Sequence, residues 1–198
     1  MTIHTIGDSH ASSKHSGWKD CEGIVTHDVG PVLCYSIGNG RYSKNVLRDF
    51  KIVDGDIVIF CFGEIDCRCH IYKHITNTKS YKMVIDEVVD RYTIAIKDIV
   101  SDVNLKHTCL YNVVPPVNKS NTYENRFLPY LGSDEERKQY VLYFNERIRE
   151  KCRENDWIFF DIYDHYIDNN GFLNKSLSDG NVHIKDGKYI KEFVDKHL

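Results

Sequence analysis

Three short stretches carry residues able to do chemistry. The first is Thr5-Ile6-Gly7-Asp8-Ser9-His10, close to the start of the chain. Gly7 permits a sharp turn, and the small Asp8-Ser9 pair follows it. A serine just past the carboxyl end of a strand exposes its hydroxyl at a sheet edge, with backbone N–H groups near by, which suits a nucleophile. The same residues also suit a plain turn cap, so the rest of the chain must decide. The second stretch is Gly63-Glu64-Ile65-Asp66-Cys67-Arg68-Cys69-His70. Glu64, Asp66, Arg68 and His70 form a polar set able to hold a polyhydroxylated or acidic sugar, and Arg68 offers a planar fork for a carboxylate or paired hydroxyls. Glu64 and Arg68 suit a structural ion pair equally well. The third is Asp179-Gly180-Asn181-Val182-His183, which places a carboxylate and an imidazole together. Cys67-x-Cys69-His70 offers soft metal ligands, but no second ligand pair accompanies it; small buried fillers are the better reading of both cysteines, and no metal or other cofactor is expected.

The intervening elements must bring these stretches together. Thr2–Ile6 reads as a first strand and Gly23–Val29 as a second, and Val32–Ile37 as an apolar, extended segment. Ser43–Phe50 has the spacing of a short helix. Ile57–Phe62 is a continuous apolar run bounded by turn residues, as in a parallel strand buried on both faces. A long helix is expected over Ser80–Val103, a fourth strand over Thr108–Val114 and a fifth over Trp157–Asp161. Ser133-Asp134-Glu135-Glu136 is a capping box opening a helix to about Glu154, and a last helix covers about Lys185–Lys196. The polar, aromatic stretch 118–132, with Tyr123, Arg126 and Tyr130, is long enough for a lid or binding loop. Strands alternating with helices predict an α/β domain with a parallel five-stranded sheet. Ligands in such sheets sit beyond the carboxyl ends of the strands, where the three polar stretches fall.

Composition narrows the class. The 198 residues make one domain, 1–198, with a formal charge of −3 that gives no basic footprint for nucleic acid or an anionic membrane. No apolar stretch has the length of a membrane span. The first residues belong to a strand and lack the layout of a leader, and seven scattered cysteines suggest reduced thiols; both point to a cytoplasmic protein.

A Gly-Asp-Ser after the first strand, a Gly-x-x-Asp after a buried third strand, and an Asp and a His before the final helix resemble the SGNH (GDSL-type) hydrolases over the whole chain. That resemblance implies a three-layer α/β/α flavodoxin-like domain and an esterase, deacetylase, lipase or O-acetyltransferase. It implies Ser9 as nucleophile with Asp8 shaping its turn, His183 as general base and Asp179 as its orienting carboxylate. It implies an oxyanion hole from the N–H groups of Ser9 and Gly30, with Gly38 and Gly40 as alternatives to Gly30. Two departures stand out. Ile65 occupies the place of the family's asparagine donor, for which Arg68 or Asn39 could substitute, and the Asp179–His183 spacing is one residue longer than usual. The Gly-Glu-Ile-Asp block resembles variants associated with surface-polysaccharide genes. A glycan or small-molecule substrate follows, with Asp8, His10, Asn39, Glu64, Asp66, Arg68 and His70 as contacts. The expected activity is acyl-ester hydrolysis on a carbohydrate; O-acyl transfer and a silent carbohydrate-binding protein are the alternatives.

Overall fold

The computed structural model describes residues 1–123 and 126–198. Strands β1 (Ile3–Gly7), β2 (Ile24–Asp28), β3 (Ile57–Cys61), β4 (His107–Tyr111) and β5 (Ile158–Phe160) form one parallel sheet in the order β2-β1-β3-β4-β5. Every residue of β3 is buried, as its unbroken apolar run requires. Helices α1 (Cys34–Gly38), α2 (Val46–Asp49), α3 (Tyr81–Val100) and α4 (Asp134–Asn155) pack on one face, around Ile37, Leu47, Val88, Ile96 and Phe144. The other face is covered by α5 (Lys188–His197) and a turn of 3-10 helix at Gly17–Asp20, around Trp18, Phe160, Tyr166 and Ile190. The α/β/α layering is therefore as the sequence predicts. Among the described residues, no helix is long and apolar enough to cross a membrane.

The differences have local causes. Val32–Ile37 is not extended: α1 begins at Cys34 because the buried Asp66 carboxylate accepts from the Cys34 N–H (2.7 Å) and the Tyr35 N–H (3.1 Å). A remote residue thus caps two N–H groups that the helix itself leaves open. The helix expected over Ser43–Phe50 contracts to the single turn of α2. The fourth strand ends at Tyr111, because Asn145 takes over both polar groups of Val113 (2.7 and 2.9 Å). The last helix starts only at Lys188, after the Gly187 N–H has donated to Asp20 Oδ2 (2.8 Å). At Ser133 the capping box forms as read, with Ser133 and Glu136 bonded reciprocally.

Strand order reverses between β1 and β3, so the crevice beyond their carboxyl ends is the expected binding edge. The chain turns tightly there. A Cβ added at Gly7 would lie 2.2 Å from the Cys61 carbonyl oxygen and 2.8 Å from Ala11 Cβ, so nothing but glycine fits without moving β1 off β3. Gly7→Ala is expected to cost about 3 kcal/mol through this overpacking, seen as a lower urea midpoint by circular dichroism; an unchanged midpoint would contradict the packing described.

Candidate active site

The first polar stretch is held from several sides. Residues Ser9–Ala11 form a turn of 3-10 helix, and Asp8 caps it by accepting from the His10 N–H at 2.9 Å. The Thr5 hydroxyl donates to the Ala11 carbonyl (2.7 Å), while Trp18 Nε1 (2.9 Å) and the Ser16 hydroxyl (3.1 Å) both donate to the His10 carbonyl. The backbone under Ser9 is therefore fixed by side chains of β1 and of the segment leading to β2. The Ser9 N–H stands at the open end of the turn and finds no acceptor among the described residues.

His183 reaches Ser9 from the far end of the chain. Its Nε2 lies 2.8 Å from Ser9 Oγ, and its Nδ1 lies 2.7 Å from Asp179 Oδ2. With Nδ1–H donating to Asp179, Nε2 is left to accept the Ser9 proton. The extra residue between Asp179 and His183 is absorbed at Gly180, whose φ of +83° turns the chain back. Asp179 Oδ1 then accepts from the N–H groups of Asn181 (2.8 Å) and His183 (3.2 Å), so the carboxylate organises its own loop. Neighbours brace that loop: Thr122 Oγ1 donates to Asn181 Oδ1 (2.7 Å), and the Tyr166 hydroxyl donates to the Asp186 carbonyl (2.7 Å).

Beside this line of three residues lies a buried group of charges. The His10 ring centre is 4.9 Å from that of His183. His10 Nε2 is 3.7 Å from Glu64 Oε2, and Arg68 Nη2 is 3.1 Å from the same oxygen. Arg68 also lies over the Tyr130 ring, 5.3 Å from its centre, with Arg137 at the same distance. Burial opposes charge on His10, but the Asp8 and Glu64 carboxylates outweigh it and hold the imidazole pKa above its ordinary value. Burial likewise opposes charge on Glu64, and Arg68 with His10 outweighs it, so the carboxylate stays ionised. Asp8 is pushed by burial up to about 6. For His183 burial dominates, the His10 charge adds to it, and Asp179 and Glu64 offset only part; its pKa falls below the ordinary histidine value. His183 is thus kept neutral, as a proton acceptor must be.

The other expected site residues divide. Glu64 and Arg68 form the ion pair that their types also allowed, close to His10, and Arg68 is largely buried. Asp66 does not face a ligand: it is fully buried as the cap of α1, where burial raises its pKa to about 7. His70 turns instead towards Tyr35 and His74, with ring centres 4.4 and 4.3 Å away. Asn39, at the end of α1, donates its side-chain amide to the Tyr35 carbonyl (2.7 Å). The Gly30 N–H donates to Asp28 Oδ1 at 3.0 Å, so its service as an oxyanion donor requires that bond to open. Gly38 packs against the Arg91 side chain, and Gly40 makes a turn of positive φ. Ile65 is buried. Cys67 and Cys69 are buried thiols, and Cys69 Sγ donates to the Ile65 carbonyl at 3.2 Å. Among the described residues, no group of three or more His, Cys, Asp or Glu side chains is placed to hold a metal ion. In the 118–132 stretch, Tyr123 is exposed and Tyr130 buried, while residues 124 and 125 lie outside the described residues. Thr5, Trp18, Thr122 and Tyr166, which position the site, carry no sequence signal beyond ordinary core or loop residues.

Comparison with solved structures finds the same arrangement of elements. The chain covers 98% of its length on 85% of an acylhydrolase described as putative from Bacteroides fragilis, with a TM-score of 0.67 at 14% identity. The layered sheet has this counterpart across nearly the whole chain. The fold is that of the SGNH (GDSL-type) hydrolases. A GDSL-like lipase from Bacteroides thetaiotaomicron is matched over 100% of this chain and 89% of its own, with a TM-score of 0.66 at 14% identity. A carbohydrate acetylesterase from Sinorhizobium meliloti is matched over 100% and 99%, with a TM-score of 0.63 at 12% identity. No protein-family model matches the chain, and no curated protein does.

The charge arrangement is checked by titrating the histidine rings by NMR. His183 is expected to titrate below the ordinary histidine value. In His10→Gln its pKa is expected to rise, because a neighbouring positive charge is gone while Asp179 and Glu64 remain. An unmoved or lowered His183 titration would contradict the coupling.

Proposed function

We propose that the protein is a serine-dependent ester hydrolase that removes an acyl group from an O-acylated carbohydrate through an acyl-enzyme. The observation that carries this reading is the unbroken Asp179–His183–Ser9 hydrogen-bonded line at the carboxyl edge of the sheet. As Ser9 Oγ attacks the acyl carbonyl carbon, its proton passes to His183 Nε2. Asp179 holds the imidazole in the required tautomer and stabilises the imidazolium. Collapse of the tetrahedral intermediate breaks the bond to the sugar oxygen, which takes the proton from His183. Water then repeats the sequence on the acyl-enzyme, releasing the carboxylic acid and restoring Ser9. A sugar hydroxyl in place of that water gives O-acyl transfer by the same atoms.

The oxyanion is supported chiefly by the Ser9 N–H, since Ile65 supplies no side-chain donor. Loss of one such donor typically costs about 10²–10³ in rate, so modest turnover on simple esters fits this site. His10, whose pKa Asp8 and Glu64 hold above its ordinary value, has its ring centre 4.9 Å from that of His183, and its protonated form favours negative charge developing there, which offsets part of that loss. The carbohydrate half of the proposal draws on the fold's likeness to a carbohydrate acetylesterase and on the Glu64, Arg68 and Tyr130 group beside the site.

The experiment is release of p-nitrophenol from p-nitrophenyl acetate by folded wild type, Ser9→Ala and His183→Ala. Wild type is expected to turn over, and each variant to fall by on the order of 10⁴-fold, towards background. Retained turnover in Ser9→Ala would overturn the mechanism, and wild type at background on acetylated sugars as well would favour a binding protein.

A further inference from the structure

On the α-helical face, outside the Ser9 site, α1, the turns after β3 and the first half of α3 enclose a groove with a cavity of about 140 Å³. One wall is made of rings. Tyr35 and His74 lie nearly parallel, 21° apart with centres 6.1 Å apart, and His70 sits within 4.4 Å of both. The opposite wall is polar, formed by Lys79, Glu87 and Arg91 over buried valines of α3. Lys79 and Glu87 are joined at 2.7 Å, whereas Arg91 makes no ion pair with a carboxylate among the described residues. Gly38 of α1 packs directly against the Arg91 Cβ, which holds the base of that side chain beside the groove. Burial, with His74 and Lys73 near by, lowers the His70 pKa to about 4, so the ring at the centre of this wall is uncharged at neutral pH.

These features define a ligand. A cavity of about 150 Å³ admits one six-membered ring, close to the volume seen here. Aromatic faces carry negative potential and attract the polarised C–H groups of a saturated sugar ring. The Arg91 guanidinium, which lies near Glu87 without forming an ion pair with it, presents a planar fork to a carboxylate. The joined Lys79 ammonium and Glu87 carboxylate offer a donor and an acceptor to hydroxyl groups. An inorganic anion would use Arg91 alone and leave the ring wall idle, while a neutral sugar would leave Arg91 idle. We propose that this groove is a binding site for a uronic acid unit of a glycan, stacked on the Tyr35, His70 and His74 wall with its carboxylate on Arg91. The site is separate from the catalytic residues, so its occupancy does not depend on acyl chemistry at Ser9.

The test is binding of galacturonic acid, glucose and inorganic phosphate to the Ser9→Ala protein, followed by the His70 and His74 ring signals in NMR. Galacturonic acid is expected to shift both signals saturably and to bind at least tenfold more tightly than glucose or phosphate. Arg91→Gln and Tyr35→Ala, each checked for an unchanged fold, are expected to weaken it at least tenfold. Both changes introduced into the Ser9 protein should leave p-nitrophenyl acetate hydrolysis as in wild type. Equal binding of phosphate, equal binding of glucose, or galacturonic acid binding untouched by both variants would overturn the proposal. If wild type fails to hydrolyse esters while galacturonic acid still binds here, the catalytic reading fails and this one stands.

Discussion

Two hydrogen bonds, from Ser9 to His183 and from His183 to Asp179, join residues up to 174 positions apart, and much of the architecture serves to keep them in line. Ser9 is set by the close approach of β1 to β3 at Gly7, which leaves no freedom in where the turn begins. His183 is set by the loop ahead of α5, whose position is fixed by the Gly187–Asp20 bond to the segment between β1 and β2. The segment carrying Asp20 also carries Trp18 and Ser16, which bond the His10 carbonyl beside Ser9. One stretch of chain therefore braces both ends of the line, which is how two remote groups can be held within hydrogen-bond distance.

Around that line the electrostatics are asymmetric. Two imidazoles stand side by side in a largely buried place, where both cannot carry charge at low cost. The carboxylates of Asp8 and Glu64 raise the pKa of His10, while burial and the neighbouring His10 lower that of His183. Arg68, clamped between Glu64 and Tyr130, balances the second carboxylate and ties the group to the segment preceding α4. Removing one member of such a set strands the others in a low-dielectric place, and is more disruptive than any single contact distance suggests.

Much of this was legible in the sequence where type and position agree. The buried β3 showed in its apolar run, α4 in its capping box, and Ser9 and His183 in their places beyond a strand and ahead of the last helix. What was not legible depended on burial or on remote partners. Val32–Ile37 is too short for its apolar pattern to separate strand from helix, and the residue that decides it, Asp66, lies some thirty positions on. Asp66 and His70 looked like contacts for a ligand at Ser9 because they sit in a polar cluster, but alternate positions on one tight turn face different ways. Asp66 turns inward to cap α1, Arg68 turns towards Tyr130, and His70 turns towards Tyr35. The missing asparagine at Ile65 was visible at once; the raised pKa of His10 was not, because it depends on burial and on Glu64, which only the fold brings near.

The central claim is that Ser9 is an activated nucleophile, and covalent labelling tests it most directly. A fluorophosphonate added to the folded protein, followed by intact mass and peptide mapping, reads the reaction at a single atom whatever the natural substrate is. One adduct is expected, on Ser9, absent in Ser9→Ala and formed far more slowly in His183→Ala. No adduct on the wild type, or an adduct that persists unchanged in Ser9→Ala, would contradict it.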